Sequence, residues 1–220
     1  EQPVEYDATR AYAELHTVDE KNVYMIKWNE LDHISWFHDN TFNRESEFDG
    51  LDGATAGEFV ELGSPHGSAD DIKTGHEYAI YPYNAEFNLC DPLGNLTVLL
   101  PAEQEYYIDK YGIGARPLMV ARDKDGILMF KHVGIYVGVR LKGDGVKVAS
   151  ISIKGNKSEI IAGRLLIEFD DEGIPVSGFD PKCVDSSGSD TITMKFEEDP
   201  VELNMEDYKV LKYLEYFSND

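Results

Sequence analysis

From Val23 onward the chain reads as short apolar segments: VYMIKW over 23 to 28, HISWF over 33 to 37, GEFVEL over 57 to 62 and HEYAIYP over 76 to 82. Each is rich in β-branched and aromatic residues, which suit a pleated, half-buried surface better than a helix. LTVLL (96 to 100), PLMVAR (117 to 122), ILMF (127 to 130), IYVGVRL (135 to 141), VKVASISI (146 to 153) and IIAGRLLIEF (160 to 169) continue the series. Between them stand Asp49-Gly50, Asp52-Gly53, Asp125-Gly126 and Asp144-Gly145, pairs in which glycine accepts a positive φ at little cost. Many short strands joined by such turns predict an all-β sandwich or barrel.

The sharpest local pattern predicts a hairpin. Ile135, Val137, Val139 and Leu141 alternate toward one face, Lys142-Gly143-Asp144-Gly145 turns the chain, and Val146 and Val148 begin the return. Parity then changes, because Ile151 and Ile153 are odd where Val146 and Val148 are even; a bulge near Ala149 or burial of both faces would account for it. The stretch from Phe37 to Gly75 is rich in Asn, Asp, Gly and Ser and predicts long loops at one end of the sheet. Near the C-terminus, Met205, Tyr208, Leu211 and Leu214 recur at helical spacing after the strand TITMKF (191 to 196), which predicts a short terminal helix.

These patterns divide the chain into three parts. Residues 1 to 20 are polar and poorly patterned, a flexible or processed N-terminal segment with little core; 21 to 169 form a β-sandwich; 170 to 220 form an abbreviated second β-domain or appendage.

The chain has 220 residues, 42% hydrophobic and 11% aromatic, enough to bury a core. Its 20 Lys and Arg against 42 Asp and Glu give a formal charge of −22, which repels nucleic-acid phosphates and anionic membrane surfaces. Cys90 and Cys183 show no CxxC spacing, and whether they pair is open. No apolar run approaches a membrane span, and the opening at Glu1, without Met or an apolar leader, suggests a mature chain whose export signal has been removed.

Catalytic and cofactor patterns are missing from the sequence: it has no GxSxG elbow, HExxH, phosphate loop or DxDxDG calcium loop. Gly112-Ile-Gly114-Ala-Arg-Pro117 lacks a third glycine and precedes a strand. His33, His38, His66, His76 and His132 are scattered, and Asp39, Glu45, Glu47, Asp49 and Asp52 match no defined calcium spacing. The expectation is therefore a non-enzyme with no catalytic, metal or cofactor residues. Tyr78, Tyr81, Tyr83, Tyr106, Tyr107 and Tyr111 fall close together; sandwich packing explains them, and an aromatic platform for sugars is the alternative.

Several segments in order resemble one family. Trp28-Asn-Glu-Leu-Asp32-His-Ile34-Ser-Trp-Phe37, Tyr78-Ala-Ile-Tyr81-Pro82-Tyr83, Leu99-Leu-Pro101-Ala-Glu-Gln104, Pro117-Leu-Met-Val-Ala121 with Asp125 to Val133, and Ile151 to Gly163 are similar, in series, to segments of the fimbrillin family of Bacteroidales surface proteins. The resemblance implies a transthyretin-like β-sandwich, an exported lipoprotein precursor at the cell surface or outer membrane, and a structural or adhesive role in fimbriae. It also implies partners that are other fimbrial subunits, joined by strand donation, or a surface receptor. Removal of an N-terminal segment by an arginine-directed protease is implied too, and Arg10, before Ala11-Tyr12, stands where that cut would fall. The family normally continues into a second β-domain with a strand near Pro200-Val-Glu-Leu203, whereas this chain ends at Asp220. A carbohydrate-binding sandwich module is the alternative reading.

Overall fold

A computed structural model describes residues 11–18, 21–38, 42–64, 75–89, 95–105, 118–157, 159–179, 188–196, 200–203 and 209–216, among which every regular element is a strand. Strand β1 (Tyr12–Val18) folds back on β2 (Lys21–Lys27), with register from Tyr12↔Lys27 to Val18↔Lys21. β3 (His33–His38), β4 (Arg44–Asp49) and β5 (Glu58–Glu61) form a meander, and β6 (Glu77–Tyr81) pairs on the other side of β3. β7 (Asn88–Leu89) and β8 (Leu96–Leu100) start a second sheet, which β9 (Glu103–Glu105) leaves. β10 (Met119–Lys124) returns to β6 and carries β11 (Ile127–Leu128) and β12 (Lys131–His132).

The remaining strands are nested. β13 (Ile135–Leu141), β14 (Lys147–Val148) and β15 (Ser150–Lys154) pair in reverse order with β18 (Thr191–Lys195), β19 (Val201–Glu202) and β20 (Lys209–Tyr216): β15 with β18, β14 with β19, β13 with β20. Between the two arms, β16 (Gly163–Phe169) pairs with β8 and with β17 (Pro175–Phe179), completing the second sheet.

Burial explains the apolar runs. Phe37, Tyr78, Ile80, Leu118 and Val120 of the large sheet meet Leu96, Val98, Leu100, Leu165 and Ile167 of the second sheet in one core. The opposite face of the large sheet, with Ile34, Ala79, Tyr81, Met119 and Ala121, is covered by Trp28 and Ala11. β6 and β10 are therefore apolar without alternation, as strands buried on both faces must be. β15 is covered on one face only: Ile151 and Ile153 turn in to a third cluster around Ile192 and Met194, while Ser150, Ser152 and Lys154 stay exposed. The change of parity at Ala149 marks a change of partner, β14 lying on β19 and β15 on β18.

Trp28 organises the covered face. Its ring lies 5.0 Å from Phe130, 5.2 Å from Phe59, 5.3 Å from Tyr81 and 6.0 Å from Phe48, mostly edge-on. Phe48 in turn requires two glycines: a Cβ at Gly50 or Gly57 would fall 2.5 Å or 2.4 Å from its ring carbons.

Four expectations change. The predicted terminal helix is strand β20. The predicted hairpin from β13 through residue 148 does not close on itself, because β13 takes the distant β20 as its partner. Residues 12–18, read as part of a loose segment, form β1, and Ala11 is 4% exposed. The predicted loops between Phe37 and Gly75 contain β4 in addition to the segment GEFVEL, which forms β5 as read. Ladders β16–β17, β15–β18 and β13–β20 run across residue 170.

Candidate functional site

Among the described residues one carboxylate is buried, that of Asp32. Leu31 adopts a left-handed φ of 68° and closes a turn in which the Asp32 amide donates to the Asn29 carbonyl at 3.1 Å. The turn aims the Asp32 side chain inward, where the residue is 1% exposed. Its Oδ2 accepts the Asn29 amide at 2.7 Å. Oδ1 accepts the Ala11 amide at 2.8 Å and the Tyr81 hydroxyl at 3.0 Å, and the Tyr81 oxygen also accepts the Ala11 amide, at 2.9 Å. Burial pushes the Asp32 carboxyl up from 3.8 to about 6, against the pull of the Asn29, Tyr81 and Ala11 hydrogen bonds and of nearby His33.

Beside this centre the strand register builds a line of carboxylate–imidazole contacts. His33 Nδ1 lies 2.6 Å from Glu45 and Nε2 3.1 Å from Glu47, because His33 stands opposite Glu47 and Ser35 opposite Glu45 in the β3–β4 ladder. On the other flank of β3, Glu77 takes the Trp36 indole N–H at 3.2 Å and meets His38 at 3.0 Å. His76 lies 3.2 Å from Asp123. His132 is half-buried, and burial lowers its pKa. His33, His38 and His76 thus each have a carboxylate partner, and among the described residues no group of three or more His, Cys, Asp or Glu is arranged to hold a metal.

The acidic stretch is a strand and not a loop: Glu45, Glu47 and Asp49 lie on β4, and Asp52 accepts the Glu30 amide at 2.7 Å. Tyr78 and Tyr81 are each 2% exposed and belong to cores on opposite faces of one sheet, so they form no common surface platform. Arg10, Asp39, His66, Cys90, Tyr106, Tyr107, Tyr111, Gly112 to Pro117 and Cys183 lie outside the described residues. Sequence reasoning placed Asp32 within a family-like segment but assigned it no task; an aspartate opening an apolar strand carries no mark of the tyrosine and amide that meet it from 49 and 21 residues away.

Fold and site together define an all-β protein in which two antiparallel sheets sandwich a core and one buried carboxylate fastens the N-terminal end of the described chain. No helix among the described residues is long and apolar enough to cross a membrane. No protein-family model, curated protein or solved structure matches the chain.

Proposed function

We propose that the protein is a structural subunit of a surface fimbria, or a surface adhesin, that acts without catalysis. The observation that carries this reading is the state of its terminal strands. Among the described residues, β1 pairs with β2 alone and β20 with β13 alone, each in a two-stranded ladder set apart from the large sheets. A terminal strand with one partner can be replaced by the same strand of a neighbour without unravelling a sheet, and the exchange satisfies an open edge while burying apolar side chains. The fimbrillin-like segments between residues 28 and 163 support the same reading, and so does Arg10, one residue before the buried Ala11. Removal of residues 1 to 10 by an arginine-directed protease is part of the proposal, as is assembly by strand exchange at the cell surface.

Size-exclusion chromatography with light scattering tests it on intact protein and on protein trimmed by an arginine-specific protease. Trimming at Arg10 is expected to give oligomers or fibres. Trimmed protein that stays strictly monomeric argues against a polymerising subunit.

A further inference from the structure

We propose that the recess formed by Asp32 and Tyr81 is a receptor for the α-ammonium group of Ala11, released when the Arg10–Ala11 bond is hydrolysed. The inference rests on the processing proposed above and deepens it. The Ala11 nitrogen, Asp32 Oδ1 and the Tyr81 oxygen form a triangle with sides of 2.8, 2.9 and 3.0 Å. In the uncut chain the nitrogen carries a single hydrogen, which two acceptors must share. An ammonium carries three: one for the carboxylate, one for the phenol oxygen, and one along the direction of the severed bond. Among the described residues the charge that bears on this carboxylate is that of His33. A carboxylate in a dry site is costly, and a cation brought to hydrogen-bond distance in good geometry offsets part of that cost. The recess therefore fits the processed terminus better than the peptide it holds in the uncut chain.

The chemistry is ordinary peptide hydrolysis with water as co-reactant. The Arg10 carbonyl carbon gains the water oxygen and becomes a carboxylate, the C–N bond breaks, and the Ala11 nitrogen leaves as an amine that takes up a proton. Ala11 is buried when docked, so the cut follows opening of this end of the chain, where local unfolding is easiest. The new terminus then returns to Asp32. Processing thereby strengthens the attachment of the chain at Ala11, just before β1, and leaves β20, paired with β13 alone among the described residues, as the strand that neighbours exchange.

The test begins with the intact protein, digested with an arginine-specific protease until intact mass shows loss of residues 1 to 10; an Arg10→Lys chain serves as the uncut control. Acylation of the Ala11 amine is then timed by mass spectrometry against a free peptide of sequence AYAELH. Labelling at least tenfold slower than the peptide is expected, restored toward the peptide rate by Asp32→Asn and raised severalfold by Tyr81→Phe, which keeps the carboxylate if the Asn variant fails to fold. Asp32→Asn is also expected to lower the unfolding temperature of the cut protein more than that of the Arg10→Lys control. A cut protein whose Ala11 amine reacts at the peptide rate overturns the receptor and leaves processing standing. Absence of a cut at Arg10 overturns both.

Discussion

At the scale of single residues, Asp32 sets a pH dependence whose sign follows from its environment. In the unfolded chain the carboxyl titrates near 3.8, and in the folded protein burial lifts it to about 6. Below the lower value both states hold the proton and the group is neutral in its effect. As pH rises through the window the unfolded state ionises first, so the folded state loses about 3 kcal/mol, a loss complete above the folded value. Asp32→Asn removes the titration while keeping an acceptor for Ala11. Urea unfolding of both proteins from pH 4 to pH 7 is expected to show the stability of the wild type falling relative to the variant by about that amount. A difference that stays constant across the range would show that the carboxylate is solvated or already paired. Of this site the sequence displayed the residue and hid the reason. Trp28, Ile34 and Phe37 announce burial by their type, whereas an aspartate discloses its burial through Tyr81 and Ala11, which only the tertiary fold brings near.

Among the elements, legibility followed how local the deciding contacts are. LTVLL and IYVGVRL became β8 and β13 with the predicted bounds, because runs of β-branched residues need only a sheet to join. β4 went unseen, since RESEFD is charged and turns only Ser46 and Phe48 inward. β20 was misread for a specific reason. Its register shifts opposite Val137 and Gly138, so that Leu214 faces Val137 and Leu211 faces Val139. Residues three apart on β20 thus serve positions two apart on β13, and a bulge of this kind imitates helical spacing. The Asp125-Gly126 turn between β10 and β11 is the opposite case, legible from two residues. Both adopt positive φ, 56° and 77°, in a two-residue hairpin loop of the primed type. A Cβ on Gly126 meets nothing within 4 Å, so Gly126→Ala isolates the cost of the left-handed backbone. Chemical unfolding is expected to register a loss of about 1 to 2 kcal/mol, and a neutral result would mean the turn relaxes to another type.

For the whole molecule, the count of short strands and turns was enough to foresee an all-β sandwich, but not the nesting in which 135–154 and 191–216 run antiparallel around the inserted β16–β17 hairpin. Such pairings join residues from 37 apart, as Lys154 and Thr191, to 81 apart, as Ile135 and Tyr216, and no periodicity in one segment names its partner. The charge, by contrast, is a property of the whole that the sequence states outright, and it bears on assembly. The chain carries −22, and −20 once residues 1 to 10 with Glu1, Glu5, Asp7 and Arg10 are removed, so copies brought together by strand exchange repel one another while their contact buries apolar surface. Raising salt from about 10 mM to about 150 mM shortens the screening length from about 30 Å to about 8 Å and removes most of that repulsion. Association of the trimmed protein is therefore expected to strengthen across this range, as light scattering at matched protein concentration would measure. If salt instead dissolves the oligomers, attraction between opposite charges holds them, and strand exchange is not what joins the copies.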